Sequence, residues 1–292
     1  MRSSLVGVLA RKIKTDARYE LNATKAKKQI CHVPPSSATK AAVKEQLKRG
    51  IYQPKPVKRV WIEKPGSAEK RPMGIPTVTD RVVQAAVRMV IEPIFENRFA
   101  KHSYGFRPGC GCKDALRRVE EMLRAGNTHV VDVDIKGYFD TIPHDRLMAL
   151  VREHVADGRV LGLIEGFLKQ GVIEGQDWQE AKGEGTPQGG VISPLLANIY
   201  LDPLDWLMAG LGFEMVRYAD DMVVLCRSQE MSRSYLYPFF SREITHHLNR
   251  GLACEDGSNN GKLWGKLTSE GFACLIAACF HSQDPACRDE LL

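Results

Sequence analysis

The 292-residue sequence contains no apolar run of about 18 residues, the length that a membrane-crossing helix requires, so no helical span is expected. It also lacks a small-residue cleavage site after its short apolar start. Arg11, Lys12 and Lys14 follow instead, so a secretory signal is not expected and a cytoplasmic location is. Zinc-ligand spacing is missing: Cys110 and Cys112 stand one residue apart, and no second close pair joins them. The eight cysteines read as free thiols in a reducing compartment. There is no internal repeat, which excludes a solenoid. Acid is scarce at the amino-terminal end, where residues 1–72 hold 18 Lys or Arg against 5 Asp or Glu. The rest of the chain carries a net −7. Such an asymmetry suits a surface that meets phosphates, or a solvated basic tail.

Hydrophobic spacing predicts a helix over 38–49 ended by Gly50, and a hairpin of Val57–Glu63 with Arg71–Ile75 about a Lys64-Pro65-Gly66-Ser67 turn. From Asp80 to about Phe99, Val83, Val87, Val90, Ile91 and Ile94 recur at helical spacing, with Thr79 or Asp80 as N-cap. Further helices are expected at 113–125, 143–155, 159–170 and 193–210, with a strand at His129–Ile135. Phe213–Tyr218 and Met222–Cys226 flank Ala219-Asp220-Asp221 and predict a strand–turn–strand hairpin. Residues 1–54 read as a basic, partly irregular segment and 55–228 as the folded body. Residues 229–292 show no sustained period and are left unassigned, as a disordered or frame-disrupted segment.

The acids stand out because they interrupt apolar strands. Asp132 and Asp134 alternate with Val131, Val133 and Ile135, which puts both on one face of a strand. Asp220 and Asp221 occupy the tip of an apolar hairpin. Carboxylates gathered near a core repel one another and raise one another's pKa. A divalent cation relieves that repulsion, and oxygen clusters beside a phosphate suit magnesium. Taken alone, an Asp-Asp pair in a turn is better explained by plain turn chemistry.

The wider pattern resembles reverse transcriptases of the group II intron type. Tyr218-Ala219-Asp220-Asp221 is similar to their YADD box, and Asp134-Ile135-Lys136-Gly137-Tyr138-Phe139-Asp140 to their first palm motif. Between them, the stretch from Gly185-Thr186-Pro187-Gln188-Gly189-Gly190 through Ser193-Pro194 to Asn198 follows the intron branch. Ser103-Tyr104-Gly105-Phe106-Arg107-Pro108-Gly109 and Arg71-Pro72-Met73-Gly74-Ile75-Pro76 match its fingers blocks.

The resemblance implies an α/β right-hand polymerase palm, a small antiparallel sheet backed by helices, with a fingers subdomain over residues 55–228. It implies RNA-directed DNA synthesis from deoxynucleoside triphosphates on an intron RNA template, with a DNA or RNA primer and no membrane partner. Asp134, Asp220 and Asp221, with the backbone carbonyl of Ile135, would hold two Mg²⁺ ions, or Mn²⁺. Lys64 and Arg71 would hold the incoming triphosphate and Gln188 would lie under the nucleotide. Phe139, or alternatively Tyr138, would exclude a ribose 2′-hydroxyl. Arg107, Lys58 and Arg59 would contact nucleic acid, whereas Asp132 has no ligand role in the pattern and Asp140 and Asp145 read as structural or capping acids. Cys110 replaces a common Arg. No Gly-x-Asp-Gly block occurs before residue 50, and residues 231–292 match no thumb element, so a thumb is not expected. A non-catalytic, RNA-binding maturase-like remnant is the alternative reading.

Overall fold

The structure is a computed structural model that describes residues 36–63, 70–228, Glu230 and the backbone of 263–268; within these, the side chains of Ser37, Asp132, Asp134 and Lys136 are not described. The basic segment before residue 36, Lys64, and the remainder of 229–292 lie outside the described residues. The described chain forms two compact units, each assembled from two separate stretches. One takes the chain up to Asn97 together with Pro143–Leu196, and the other takes Arg98–Ile142 together with the chain from Ala197 onward.

The first unit begins with α1 (Ser37–Arg49), capped by the Ser36 hydroxyl accepting from the Thr39 amide and closed by Gly50. Strands β1 (Val57–Glu63) and β2 (Lys70–Ile75) form the expected antiparallel hairpin, with Val60 opposite Met73 and Ile62 opposite Arg71. Alternation puts Val60 and Ile62 on the face of Met73 and Ile75, where the four pack together. Helix α2 (Val78–Glu96) starts two residues earlier than its spacing predicts. Thr77 is the N-cap because its hydroxyl accepts from the Asp80 amide, and Asp80 is then buried where it accepts from Tyr52. The helix buries Val83, Val87, Ile91 and Phe95, a strict four-residue stripe. Val90 and Ile94, expected in the core, stand at 62% and 39% exposure because they fall to the flank of that stripe.

Helices α4 (His144–Arg152) and α5 (Gly158–Leu168) complete the helical part of this unit, α5 capped by Asp157. Two short strands, β4 (Val172–Glu174) and β5 (Asp177–Gln179), were not expected from the sequence. β4 runs parallel to β1 and gives the order β2-β1-β4-β5. Three-residue strands with an exposed pattern carry no periodic signal, so only their pairing reveals them.

The second unit holds α3 (Cys112–Arg124), β3 (His129–Lys136), a single 3₁₀ turn at Tyr138–Asp140, β6 (Glu214–Tyr218) and β7 (Asp221–Cys226). Helix α6 (Ser193–Gly210) belongs to this unit from Ala197 onward. β3 pairs antiparallel with β7, and β7 with β6. One expectation changes here. A further strand, β8 (Leu263–Thr268), pairs parallel with β3, so the sheet order is β6-β7-β3-β8 and the sheet is mixed. Residues 229–292, which show no sustained period, therefore contribute a strand. Val131, Val133, Ile135, Met222 and Val224 fill the core of this unit, each contributing on the order of 1.5–3 kcal/mol through burial. No helix among the described residues is long and apolar enough to cross a membrane.

Candidate active site

The aspartate hairpin has a two-residue loop. Tyr218 pairs with Asp221 and only Ala219 and Asp220 lie between, so Asp221 is the first residue of β7 rather than part of the tip. Asp221 also pairs with Asp134 across β3. The backbone register therefore brings Asp134, Asp220 and Asp221 to one end of the β6-β7-β3 ladder. Asp220 and Asp221 are both partly exposed. Ile135, the residue after Asp134, is buried.

Ala219 adopts φ +59, the left-handed region that costs a non-glycine residue about 1–2 kcal/mol. Arg217 and Gly105 lie against it, with Asp205 and Asn198 behind them. The strand just before the loop contains Arg217, an ion in an otherwise apolar run, and its side chain is fully buried. Arg217 Nη1 donates to the Ala219 carbonyl at 2.9 Å and to Asn198 Oδ1 at 2.9 Å. Its Nε donates to Asp205 Oδ1 at 2.8 Å, and Nη2 to Asp205 Oδ2 at 2.5 Å. Asn198 Nδ2 in turn donates to the Gly105 carbonyl at 2.8 Å.

Gly105 lies directly on the loop: a Cβ built there would fall 2.1 Å from the Ala219 nitrogen. Burial alone would lower the Arg217 pKa. The adjacent Asp205 charge more than offsets this and holds the guanidinium protonated. A buried pair of this kind loses about 3–5 kcal/mol when one partner is removed.

The loop around Gly105 is itself tied down. Tyr104 N donates to the Arg217 carbonyl and Arg217 N to the His102 carbonyl. Arg107 Nη1 donates to the carbonyls of Ala100 and Ser103 at 2.8 and 2.7 Å, and its guanidinium lies over the Phe99 ring. Arg107, expected at nucleic acid, therefore also ties this loop together internally. Asp202 accepts from the Ala100 amide at 3.2 Å. Burial, with Asp205 nearby, raises the Asp202 pKa from 3.8 to about 6.

A carboxyl whose folded pKa is raised adds stability below its unfolded pKa, and that contribution is lost as pH rises through about 6. Asp202→Asn is expected to remove a penalty on the order of 2 kcal/mol at pH 7.5 while changing little at pH 4. Melting temperatures of both proteins at the two pH values check this. Equal shifts at both would show that Asp202 is not the titrating group.

Of the two aromatic residues, Tyr138 is 3% exposed and its hydroxyl donates to the Ala197 carbonyl at 2.6 Å. Burial raises its pKa well above the usual phenol value. Phe139 is only partly buried and meets Phe106 edge-on at 6.3 Å. Phe106 is the other non-glycine residue at positive φ among the described residues, at +60.

In the first unit, the Gly185–Gly190 loop is fixed by its backbone. The Gln188 carbonyl accepts from the Gly74 amide at 3.0 Å, so the loop rests on β2. Gly189 has φ +127, and a Cβ there would come 2.7 Å from the Gly74 carbonyl oxygen. Buried Gln84 accepts from the Val191 amide at 2.7 Å, and His144 Nε2 donates to the Gly185 carbonyl at 2.6 Å. Arg71 lies on β2, partly buried, in the same hairpin that carries Lys58 and Arg59. Arg59 packs on Trp61 and faces Glu174 at 3.9 Å, while Lys58 is exposed. Gln84, His144, Asn198, Asp205 and Arg217 were not singled out from the sequence. The available signal was a polar residue breaking an apolar period, clearest at Arg217 and Asp205.

Residues 62–249 match the family described as Reverse transcriptase (RNA-dependent DNA polymerase). The chain belongs to the reverse transcriptase family. Within that family its relationship is to the group II intron type. It is 43% identical over 180 residues to the group II intron-encoded protein LtrA of Lactococcus lactis subsp. cremoris, covering 61% of this chain and 30% of that protein. It is 42% identical over 167 residues to protein YkfC of Escherichia coli, covering 56% of this chain and 43% of YkfC. The nuclear intron maturase 4, mitochondrial, of Arabidopsis thaliana is 30% identical over 136 residues, covering 47% of this chain and 17% of that protein. The chain therefore spans less than half the length of each of these relatives. Reverse transcriptases generally use divalent metal ions.

Proposed function

We propose that this chain is the fingers and palm, over residues 55–228, of an RNA-directed DNA polymerase of the group II intron type. The observation that supports the reading most is the register that brings Asp134, Asp220 and Asp221 to one end of the β6-β7-β3 ladder. Three carboxylates with the Ile135 carbonyl would make a hard-oxygen donor set, the kind that takes Mg²⁺ or Mn²⁺. Two such ions, when bound there, supply activation of a primer 3′-hydroxyl and charge neutralisation at the departing pyrophosphate.

The chain's own residues do the rest. Asp220 is held on a loop whose backbone is braced by Arg217, so its carboxylate is presented without reorganisation. Gln188 and the two glycines after it offer a close backbone approach beneath the nucleotide base and sugar. Arg71 and Lys64 carry charge for the triphosphate. Phe139, only partly buried where Tyr138 is buried, is the ring that would exclude a 2′-hydroxyl. Phe139→Ala is expected to lower the preference for deoxy- over ribonucleotides by roughly tenfold or more, read as a ratio of kcat/KM values. An unchanged ratio would remove Phe139 from the role.

Lys58, Arg59 and the basic amino-terminal residues would meet the template–primer backbone, with an affinity that falls steeply with salt. Primer extension on an RNA template with deoxynucleotides and Mg²⁺ tests the proposal. Extension dependent on Asp220 and Asp221 supports it. RNA binding with no extension by the folded chain would instead support the maturase-like reading, which the net +13 of residues 1–72 favours.

A further inference from the structure

The Arg217 cluster does more than fill space, because one of its bonds reaches the loop that carries Asp220 and another holds Asn198, which bonds the Gly105 carbonyl beside that loop. Arg217 Nη1 touches the Ala219 carbonyl, and that oxygen belongs to the peptide whose nitrogen is Asp220's own. Fixing that peptide plane fixes the nitrogen and Cα of Asp220, the atoms from which its side chain departs. The same Nη1 reaches Asn198, which holds Gly105 against the other side of the loop. Asp205 orients the guanidinium by accepting from two of its nitrogens, so the fork cannot rotate away from the loop.

The loop is thus clamped from both sides in a backbone conformation that alanine does not favour. Such strain persists where surrounding structure over-determines it, commonly at functional sites.

We propose that Arg217, oriented by Asp205 and Asn198, is a positioning residue that sets the geometry of the Asp220 carboxylate for metal binding. The inference rests on the polymerase reading for its consequence, though its geometry does not. A lysine at 217 keeps the charge but has a single nitrogen, and cannot serve Asp205, Asn198 and the Ala219 carbonyl in fixed directions at once.

The test compares the full chain with Arg217→Lys, Asp220→Asn and a stability control, Met208→Ala, whose buried side chain lies on α6. Two quantities are measured on each folded protein: Mn²⁺ binding followed by electron paramagnetic resonance, and primer extension as a function of Mg²⁺ concentration. Arg217→Lys is expected to weaken Mn²⁺ binding at least fivefold, to raise the half-activating Mg²⁺ concentration similarly, and to lower kcat more than tenfold. Met208→Ala should lose comparable thermal stability yet leave both metal curves unchanged.

Wild-type metal binding and kinetics in folded Arg217→Lys overturn the positioning role, as do effects no larger than those of Met208→Ala. A parent chain that binds Mn²⁺ through Asp220, weakened in Arg217→Lys, but extends no primer would uphold the positioning role and remove the polymerase reading. A parent chain that neither binds Mn²⁺ nor extends a primer would overturn both.

Discussion

Primer extension by the Asp220→Asn, Asp221→Asn double variant is expected to fall by about a thousandfold or more, with the fold intact. Each tenfold loss corresponds to about 1.4 kcal/mol of transition-state stabilisation, and a metal-held reaction centre supplies several kcal/mol. The amides are near-isosteric with the carboxylates, and neither Asp220 nor Asp221 is fully buried, so packing does not change. Removing two like charges beside Asp134 relieves repulsion, and the melting temperature should hold or rise. RNA binding at low salt should persist, because it depends on the basic surface rather than on the acids. Extension surviving at more than about a hundredth of the parent rate would show that synthesis is centred elsewhere.

Gly105→Ala is the second large effect. Its new methyl would lie 2.1 Å from the Ala219 nitrogen and 2.8 Å from the Ala219 Cα. Both obstacles are backbone, so no side chain can rotate aside. Either the 103–107 loop lifts, breaking the Asn198 bond to the Gly105 carbonyl, or the aspartate loop shifts. The expected stability loss is about 2–3 kcal/mol, measured by denaturant unfolding. Catalysis should suffer more, since a displacement near 1 Å at a reacting group can cost about 100-fold. A variant that unfolds and polymerises like its parent would mean that the loop does not pack on the hairpin as described.

Much of the second unit was legible because its chemistry breaks local rules. Aspartates within a valine-rich strand break its apolar pattern, and together with an Asp-Asp pair at a hairpin they stand out where either alone would not. What the sequence concealed was register. Whether Asp221 belongs to the tip or to β7 turns on a single residue of pairing, and pairing is decided by β3, a distant partner. β4 and β5 escaped notice for a related reason: each is three residues long, and its order comes from a neighbour rather than from its own period, while β8 is revealed by its pairing with β3. Helix α2 starts earlier than its apolar spacing because Thr77, a polar residue outside that spacing, takes the cap, and Asp80 is buried against Tyr52, a residue far earlier in the chain. Arg217 was the most informative omission. A lone arginine in an apolar strand reads as a residue facing solvent until Asp205 and Asn198 are seen around it.

The interleaving of the two units has a consequence for biosynthesis. As the chain leaves the ribosome, β3 emerges before the whole of Pro143–Leu196, which belongs to the other unit, and only afterwards do its partners β6 and β7 appear. At about 5–20 residues per second, β3 waits on the order of several seconds to tens of seconds with valines exposed and both edges open. Meanwhile the earlier unit cannot close until its second stretch has been made. Neither unit can therefore be expressed as one continuous fragment. A nascent chain stalled between Ile142 and Ala197 should hold a half-built sheet whose edge invites chaperones or misassembly.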